Sequence, residues 1–208
     1  MIPASSTASP SIAWGVSATA LNGAAVSGDL HVVAPCGQSV LLAAIDGIGH
    51  GPEAAQAARV AAAVLSQHAG EPLIALMQRC HEELRRTRGV VLSMASFDVR
   101  NGIMEWLGVG NVEGVLFRAD RHATPPRDSL ILRGGVVGYQ IPSLRTATRQ
   151  IAAGDVLIFA TDGVRSDFTA YSPFGPDMQE VADAMLARFG KVTDDALVFA
   201  IRYLGQPS

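Results

Sequence analysis

The stretch DLHVVAPCGQSVLLAAIDGIGHG, residues 29–51, establishes a pattern that the rest of the chain repeats. Two short apolar runs, residues 30–34 and 39–45, flank a Pro-Cys-Gly turn, which predicts an antiparallel hairpin. Asp29 comes directly before the first run, and Asp46 comes directly after the second. Because the start of one antiparallel strand and the end of its partner lie at the same edge of a sheet, we predict that these two carboxylates are neighbours.

Helices and further strands are predicted after this hairpin. Pro52 stands where the first turn of a helix tolerates proline, and the alanine-rich residues 54–68 are predicted to form that helix. Residues 73–84 repeat their apolar side chains at helical spacing, which predicts a second helix. The remaining predicted elements are a helix at 178–189 and strands at 13–21, 91–97, 104–109, 112–117, 130–132, 156–160 and 197–203. This order lacks regular βαβ alternation, so the predicted fold class is α+β, with antiparallel sheets and the helices outside them.

The composition restricts both the organisation and the function of the chain. Its 208 residues, of which 49% are hydrophobic and 17% are charged, can bury one substantial core. With no internal repeat or linker in the sequence, we predict a flexible segment at residues 1–11 and a single domain at residues 12–208. The 16 basic and 19 acidic residues give a net charge of −3, which argues against binding to nucleic acid or to an anionic membrane surface.

The cysteines and the first residues indicate a cytoplasmic protein. Cys36 and Cys80 are too few for a disulfide framework, and neither has the spacing of a zinc ligand. The first eleven residues do not have the basic and then apolar order of a secretory signal. We therefore expect reduced thiols and a cytoplasmic location.

A second pair of aspartates repeats the arrangement of the hairpin. Asp162 follows the predicted strand at 156–160, and Asp194 precedes the predicted strand at 197–203. Carboxylates gathered at strand ends repel one another unless they are protonated or bridged by cations, and carboxylate and carbonyl oxygens select hard divalent ions. Taken one by one, the same aspartates could be turn or loop residues, and Asp195 competes with Asp194. Together they predict a metal site, to which the glycine-rich turn after Asp46 could contribute a main-chain carbonyl.

Four short motifs occur in an order that resembles a known enzyme family. They are Ser27-Gly28-Asp29, Asp46-Gly47-Ile48-Gly49-His50-Gly51, Ala160-Thr161-Asp162-Gly163-Val164 and Asp194-Asp195. This succession resembles the metal-dependent type 2C protein serine/threonine phosphatases (PPM), and within them the bacterial SpoIIE-like branch. The compact length and the glycine-rich residues 133–138 are most similar to the RsbX-like stressosome phosphatases of that branch.

The resemblance implies an αββα four-layer sandwich of two antiparallel sheets, with two Mn²⁺ or Mg²⁺ ions at one edge. By analogy, Asp46 would bridge the ions and the carbonyl of Gly47 would bind one of them. Asp29, Asp162 and Asp194 would complete the site or hold its water molecules, and Asp194 is preferred over Asp195 because it matches the first acid of the family's terminal pair. Asp46 and Asp162 would then be the principal catalytic residues.

The activity that the resemblance implies is hydrolysis of phosphoserine or phosphothreonine on a partner protein, in particular a phosphorylated STAS-domain protein of bacterial stress signalling. Phosphate monoesters hydrolyse extremely slowly without a catalyst, and two metal ions can supply the required nucleophile and charge stabilisation. No protein nucleophile is then needed, which agrees with the absence of a serine or cysteine nucleophile motif from the sequence.

Four positions depart from the family pattern or leave a role open. Ile48 stands where many eukaryotic relatives have a histidine, and His50, two residues later, could cap a helix or act as an acid. Asn111 replaces the acid of a Val-Gly-Asp turn, which puts a third metal ion in doubt. No basic residue close to the motifs offers an evident phosphate contact, and Arg165 is expected to be a solvated loop residue.

Two other functions fit the sequence less well. The glycines of residues 47–51 do not have the spacing of a dinucleotide-binding turn, and Asp46 would repel a pyrophosphate. A catalytically inactive regulatory or binding module with the same fold is the stronger alternative. The four aspartates argue against it, since such a cluster is destabilising without a bound cation.

Overall fold

The computed structural model describes residues 11–21 and 26–206, and within them the chain forms ten strands and three α-helices. The strands are β1 (Ile12–Thr19), β2 (Asp29–Cys36), β3 (Ser39–Gly47), β4 (Val90–Asp98), β5 (Ile103–Val109), β6 (Glu113–Phe117), β7 (Arg127–Ser129), β8 (Ala147–Gln150), β9 (Val156–Ala160) and β10 (Ala196–Tyr203). The helices are α1 (Pro52–Gln67), α2 (Leu73–Glu83) and α3 (Met178–Phe189), and a short 3₁₀ helix spans Ser166–Ala170.

The strands form two antiparallel sheets of five strands each. Sheet I has the order β1-β10-β9-β6-β7, and sheet II has the order β2-β3-β4-β5-β8. One apolar cluster joins α1 and α2 to sheet II, a second lies between the sheets, and a third joins α3 to sheet I. The layers are therefore αββα, and the predicted fold class is confirmed.

The two-residue period of the central strands explains these layers. In β3, Leu41, Ala43 and Ile45 point to the helices, and the intervening apolar residues point to the other sheet. In β10, Leu197, Phe199 and Ile201 likewise face the core between the sheets. Both faces of these strands are buried, so they appear in the sequence as continuous apolar runs.

The alanine-rich sequence of α1 brings this helix close to sheet II. Pro52 occupies the first helical turn as predicted, and Ala54, Ala57, Ala58 and Ala61 are fully buried. At Gly47, the end of β3, an added Cβ would lie only 2.2 Å from the carbonyl oxygen of Ala54. The start of α1 therefore packs directly against the turn that follows Asp46.

Two of the four edge strands, β7 and β8, differ from the prediction. The predicted strand at residues 130–132 is wrong, since the chain pairs with β6 at Arg127–Ser129 instead, and Leu130 and Leu132 pack between the sheets. Strand β8, Ala147–Gln150, was not predicted at all. These two edge strands have only three and four residues and are partly solvated, so they do not have the apolar pattern that identifies a central strand.

The predicted flexible segment, residues 1–11, lies outside the described residues except for Ser11. Ser11 is buried, and its carbonyl oxygen accepts a hydrogen bond from the N–H of Leu204 at 2.8 Å. Among residues 11–21 and 26–206, no helix is long and apolar enough to span a lipid bilayer.

Candidate active site

The first two candidate residues lie directly opposite each other at one edge of sheet II. Strands β2 and β3 pair antiparallel with Asp29 opposite Asp46, which confirms the predicted hairpin and the proximity of the two residues. The N–H of Gly47 donates to the carbonyl of Gly28 at 3.1 Å, so the pairing continues to the very end of the hairpin.

The second pair of aspartates lies at one edge of sheet I. Asp162 follows β9, and Asp194 lies two residues before β10. Lys191 joins the two loops that hold them, because its N–H donates to the carbonyl of Gly163 at 2.7 Å and its Nζ donates to the carbonyl of Asp162 at 2.5 Å. This is the only lysine in the sequence, and it fixes the backbone beside Asp162.

Hydrogen bonds between the sheets bring the two edges together. The Thr161 hydroxyl accepts from the N–H of Leu197 at 2.8 Å and donates to Oδ2 of Asp29 at 2.7 Å. The carboxylate of Asp195 is buried and accepts from the N–H groups of Gly28, at 2.6 Å, and Leu21, at 2.7 Å. The oxygens of Asp195 are therefore used to hold the β2 end of sheet II against sheet I.

A cavity of about 570 Å³ opens at this shared edge. Three of the four predicted aspartates line it, namely Asp46, Asp162 and Asp194. Asp195, the alternative to Asp194, does not line it. The other lining residues are Leu21, Ile48, Gly49, His50, Val91, Gly110, Asn111, Gly134, Gly135 and Thr193. Asp29 is buried beside Asp46 and is not among the residues that line the cavity.

Burial and mutual repulsion change the titration of the hairpin aspartates. Burial, the larger cause, together with nearby carboxylates raises the pKa of Asp29 to about 7, although the hydrogen bond from Thr161 partly opposes the rise. Burial, followed by repulsion from Asp29, Asp162 and the Asp194-Asp195 pair, raises the pKa of Asp46 to about 8. Near neutral pH, these carboxylates therefore bind either protons or a cation.

The donor atoms of the site fit hard divalent cations. Oδ1 of Asp29 is buried without a hydrogen-bond partner among the described residues, so this carboxylate oxygen is available to a cation. Within residues 11–21 and 26–206, no three carboxylate, imidazole or thiol groups are close enough to surround one ion. Mg²⁺ commonly binds one or two carboxylates and keeps several water molecules, so a site with dispersed aspartates suits it better than a closed cage would.

The structure also places the residues whose roles the sequence left open. His50 and Asn111 both line the cavity, and Nδ2 of Asn111 donates to Oδ2 of Asp162 at 2.9 Å. Arg165 does not reach the cavity. It pairs with Asp167 at 3.2 Å and lies over the ring of Phe189, which agrees with the expected surface role.

Sequence reasoning missed Arg88, which lies beside the cavity. A Cβ added to Gly49, a lining residue, would lie 3.0 Å from Nη1 of Arg88. The same guanidinium pairs with Glu53 in the first turn of α1, which fixes its position. Arg88 is 37 positions beyond the end of the Asp46 motif in a loop with other arginines, so no local motif marks it, and only the fold brings it to the site.

Solved structures of other proteins share this fold. A chain from a structure described as "The bacterial stressosome: a modular system that has been adapted to control secondary messenger signaling" has a TM-score of 0.82, 29% identity, and coverage of 92% of this chain and 99% of that one. RsbX in complex with magnesium gives a TM-score of 0.82 and 18% identity over 93% and 96% of the two chains. The catalytic domain of the serine/threonine protein phosphatase PstP in complex with two manganese ions gives a TM-score of 0.65 and 16% identity, with coverage of 93% of this chain and 99% of that one. The fold is that of the PP2C phosphatases.

The sequence comparisons place the chain within that class. The family model for stage II sporulation protein E (SpoIIE) matches residues 37–204, and the chain belongs to this family. A curated relative, the phosphoserine phosphatase RsbX of Bacillus subtilis (strain 168), is 21% identical over 164 residues, which cover 78% of this chain and 80% of RsbX. The chain is thus a phosphatase of the PP2C type, and the resemblance stated from the sequence is confirmed.

Proposed function

We propose that this protein is a metal-dependent phosphatase that hydrolyses phosphoserine or phosphothreonine on a bacterial signalling protein. The observation that carries the proposal is that Asp46 of one sheet and Asp162 and Asp194 of the other line one open cavity, with Asp29 directly opposite Asp46. Burial, together with repulsion between carboxylates, raises the pKa of Asp29 to about 7 and that of Asp46 to about 8, which supports a cation as the partner of these carboxylates.

In this proposal, Asp46, the carbonyl of Gly47, Asp29, Asp162 and Asp194 hold two Mn²⁺ or Mg²⁺ ions. Two such ions acidify a water molecule and neutralise the phosphoryl oxygens. The protein's own residues orient the site. The Thr161 hydroxyl fixes the carboxylate of Asp29, and the amide of Asn111 fixes that of Asp162. His50 lies in the cavity wall, where it can donate a proton to the leaving oxygen.

The proposed substrate is a phosphorylated STAS-domain protein of a stress-signalling complex in the cytoplasm. The likeness to the phosphoserine phosphatase RsbX and to a chain of stressosome origin supports this choice. Magnesium in the RsbX structure and manganese in the PstP structure support the choice of cation.

Phosphate release from phosphorylated STAS-domain proteins of the same genome tests the proposal. We expect release with Mn²⁺ or Mg²⁺ and none after chelation with EDTA. Calorimetric titration with Mn²⁺ measures metal binding independently of turnover. If the intact chain bound no metal and released no phosphate from any phosphoprotein, the chain would be an inactive binding module instead.

Arg88 is proposed to contact the phosphoryl group, since its guanidinium lies beside a glycine of the cavity wall. We expect Arg88→Ala to raise KM for a phosphopeptide about tenfold with little change in kcat, because one hydrogen bond to a charged group is lost. Inhibition by inorganic phosphate should weaken by a similar factor. Steady-state kinetics at saturating Mn²⁺ measure both effects.

Arg79 offers a matched control for that substitution. It is also an ion-paired surface arginine, with Glu71 at 2.6 Å, and its side chain is 43% exposed compared with 50% for Arg88. Arg79→Ala should leave KM unchanged. Equal effects of the two substitutions would show that Arg88 contributes only general positive charge and does not contact the phosphate.

The substitution Asn111→Ala should be mild. Asn111 contributes one exposed hydrogen bond to Asp162, and a bond of this kind contributes about 1 kcal/mol, so we expect kcat/KM to fall about fivefold. Turnover of a phosphopeptide over a range of Mn²⁺ concentrations measures the effect. A loss as deep as that expected for a substitution of Asp46 would mean that Asn111 is a metal ligand.

A further inference from the structure

A second groove adjoins the catalytic cavity. It has a volume of about 470 Å³, and it shares two lining residues, Gly134 and Gly135, with the cavity. The other residues that line it are Val136, Tyr139, Gln140, Ile141 and Pro142, so the described lining is uncharged. A molecule with one end in the catalytic cavity could therefore continue into this groove without leaving the surface.

A tight turn at residues 136–140 forms one wall of the groove. The backbone groups of Val136 and Gln140 bond to each other at 2.8 and 2.9 Å, and Val137 and Val90 exchange backbone bonds of 2.8 and 3.0 Å. These bonds attach the turn to the first residue of β4, which belongs to the central part of sheet II. The turn is therefore held by the framework of the fold.

Helix α2 holds the same turn from the other side. The N–H of Gly138 donates to Nδ1 of His81 at 3.0 Å. Gly138 has a φ of +102°, and a Cβ at this position would lie 2.8 Å from the Cβ of Leu84, so only glycine allows this approach. Backbone contacts with β4 and a contact with α2 thus fix the residue that follows, Tyr139.

Tyr139 is 82% exposed despite this fixed backbone. An aromatic side chain on a rigid turn loses little conformational entropy when a partner covers it, and aromatic residues contribute strongly to protein interfaces. Tyr139 lines the groove next to the catalytic cavity, so the chain on one side of a phosphorylated residue in that cavity can lie against it. The position, the rigidity and the lack of charge all favour an apolar polypeptide segment as the occupant.

We propose that this groove binds the residues flanking the phosphorylated position of the protein substrate, and that it selects apolar side chains there through Tyr139. The inference rests on the proposed phosphatase function and specifies its substrate class. The phosphoryl group lies among the aspartates, and the adjoining chain lies along Gly134 and Gly135 toward the tyrosine ring.

Synthetic phosphoserine peptides with either apolar or glutamate residues beside the phosphoserine test this proposal, with p-nitrophenyl phosphate as a reference that has no flanking residues. We expect the wild-type protein with Mn²⁺ to prefer the apolar peptides. Tyr139→Ala should reduce kcat/KM for them about tenfold to thirtyfold and leave the reference within about twofold. Tyr139→Phe should retain the wild-type preference, since the ring and not the hydroxyl provides the contact.

Phe174 provides the matched control. It is an exposed aromatic residue, at 45%, and it lines a different cavity formed by the far end of β6. Phe174→Ala should leave both activities unchanged. The proposal would be overturned if Tyr139→Ala lowered kcat/KM equally for the apolar peptides and for p-nitrophenyl phosphate. It would also be overturned if Tyr139→Ala kept the wild-type preference for apolar over glutamate peptides.

A binding measurement separates failure of this inference from failure of the proposed function. Fluorescence anisotropy with a phosphonate analogue of the apolar peptide needs no turnover. Weaker binding by Tyr139→Ala than by the wild-type protein supports the groove even if no phosphate is released. Equal binding overturns it, and so would a wild-type dimer that becomes a monomer in Tyr139→Ala, because a second copy would then occupy the groove.

Discussion

Substitution of Asp46 with asparagine is expected to lower metal-dependent phosphate release by about 10³-fold or more, without lowering the stability of the metal-free protein. Asp46 is the hairpin aspartate that lines the cavity, and every other acid of the cluster raises its pKa. Asparagine has the same shape but cannot provide a negative charge to a divalent cation. Phosphopeptide turnover and Mn²⁺ titration calorimetry measure the loss, and denaturant unfolding in EDTA measures the stability.

Asp167→Asn is the control for this substitution. Asp167 is an exposed aspartate that pairs with Arg165 outside the cavity, so its replacement should change neither turnover nor metal binding. If Asp46→Asn retained more than about a tenth of the wild-type turnover, the proposal that Asp46 is a metal ligand would be wrong. A large loss of stability in EDTA would show that the carboxylate has a structural role.

The metal-free protein should lose stability as the pH rises through the neutral range. Asp29 and Asp46 titrate at about 7 and about 8 in the folded state but near 3.8 in the unfolded chain. The folded state therefore binds more protons than the unfolded state between about pH 4 and pH 8. The stability contributed by these groups is complete below the unfolded pKa of 3.8, and it is lost as the pH rises through the folded pKa values of Asp29 and Asp46.

The expected change is on the order of a few kcal/mol in the free energy of unfolding, measured by denaturant titration in EDTA. His31 acts in the opposite direction, because burial lowers its pKa below the ordinary value of 6.5. The protein therefore loses the stability that the neutral imidazole contributes only as the pH falls into the acidic range. Measurements above pH 7 therefore isolate the carboxylates.

The double substitution of Asp29 and Asp46 with asparagine should flatten this pH dependence. With Mg²⁺ present, the free energy of unfolding of the wild-type protein should rise with pH instead of falling, since the cation competes with protons for the carboxylates and binds more tightly as they deprotonate. A metal-free stability that stayed constant from pH 7 to about pH 9 would contradict the raised pKa values.

The sequence predicted those parts of the fold in which local pattern and tertiary environment agree. Strands β3 and β10 are buried on both faces, so their apolar runs identify them, and the aspartates at their ends could be assigned to one edge of each sheet. The register of β2 and β3 required only the turn at residues 35–37. The β7 and β8 edge strands could not be predicted, because their sequences lack that pattern.

The features of the site that sequence reasoning missed are those that depend on long-range contacts. Arg88 reaches Gly49 only because β4 pairs with β3, and Tyr139 lies beside the cavity only because Val137 pairs with Val90. The burial of Asp195 likewise results from its bonds to Gly28 and Leu21, more than 160 residues away in the chain. Adjacent identical residues therefore have different roles that spacing alone cannot distinguish.

The burial of Asp29 and Asp46 has a practical consequence for directed evolution of this enzyme. A library sorted only by heat resistance, in buffers that contain chelators, would enrich neutral replacements at these two positions, because they relieve the repulsion described above. The most heat-resistant variants would then be catalytically inactive. Sorting in the presence of Mn²⁺, followed by a turnover screen, would retain the carboxylates and direct stabilising changes to other parts of the sandwich.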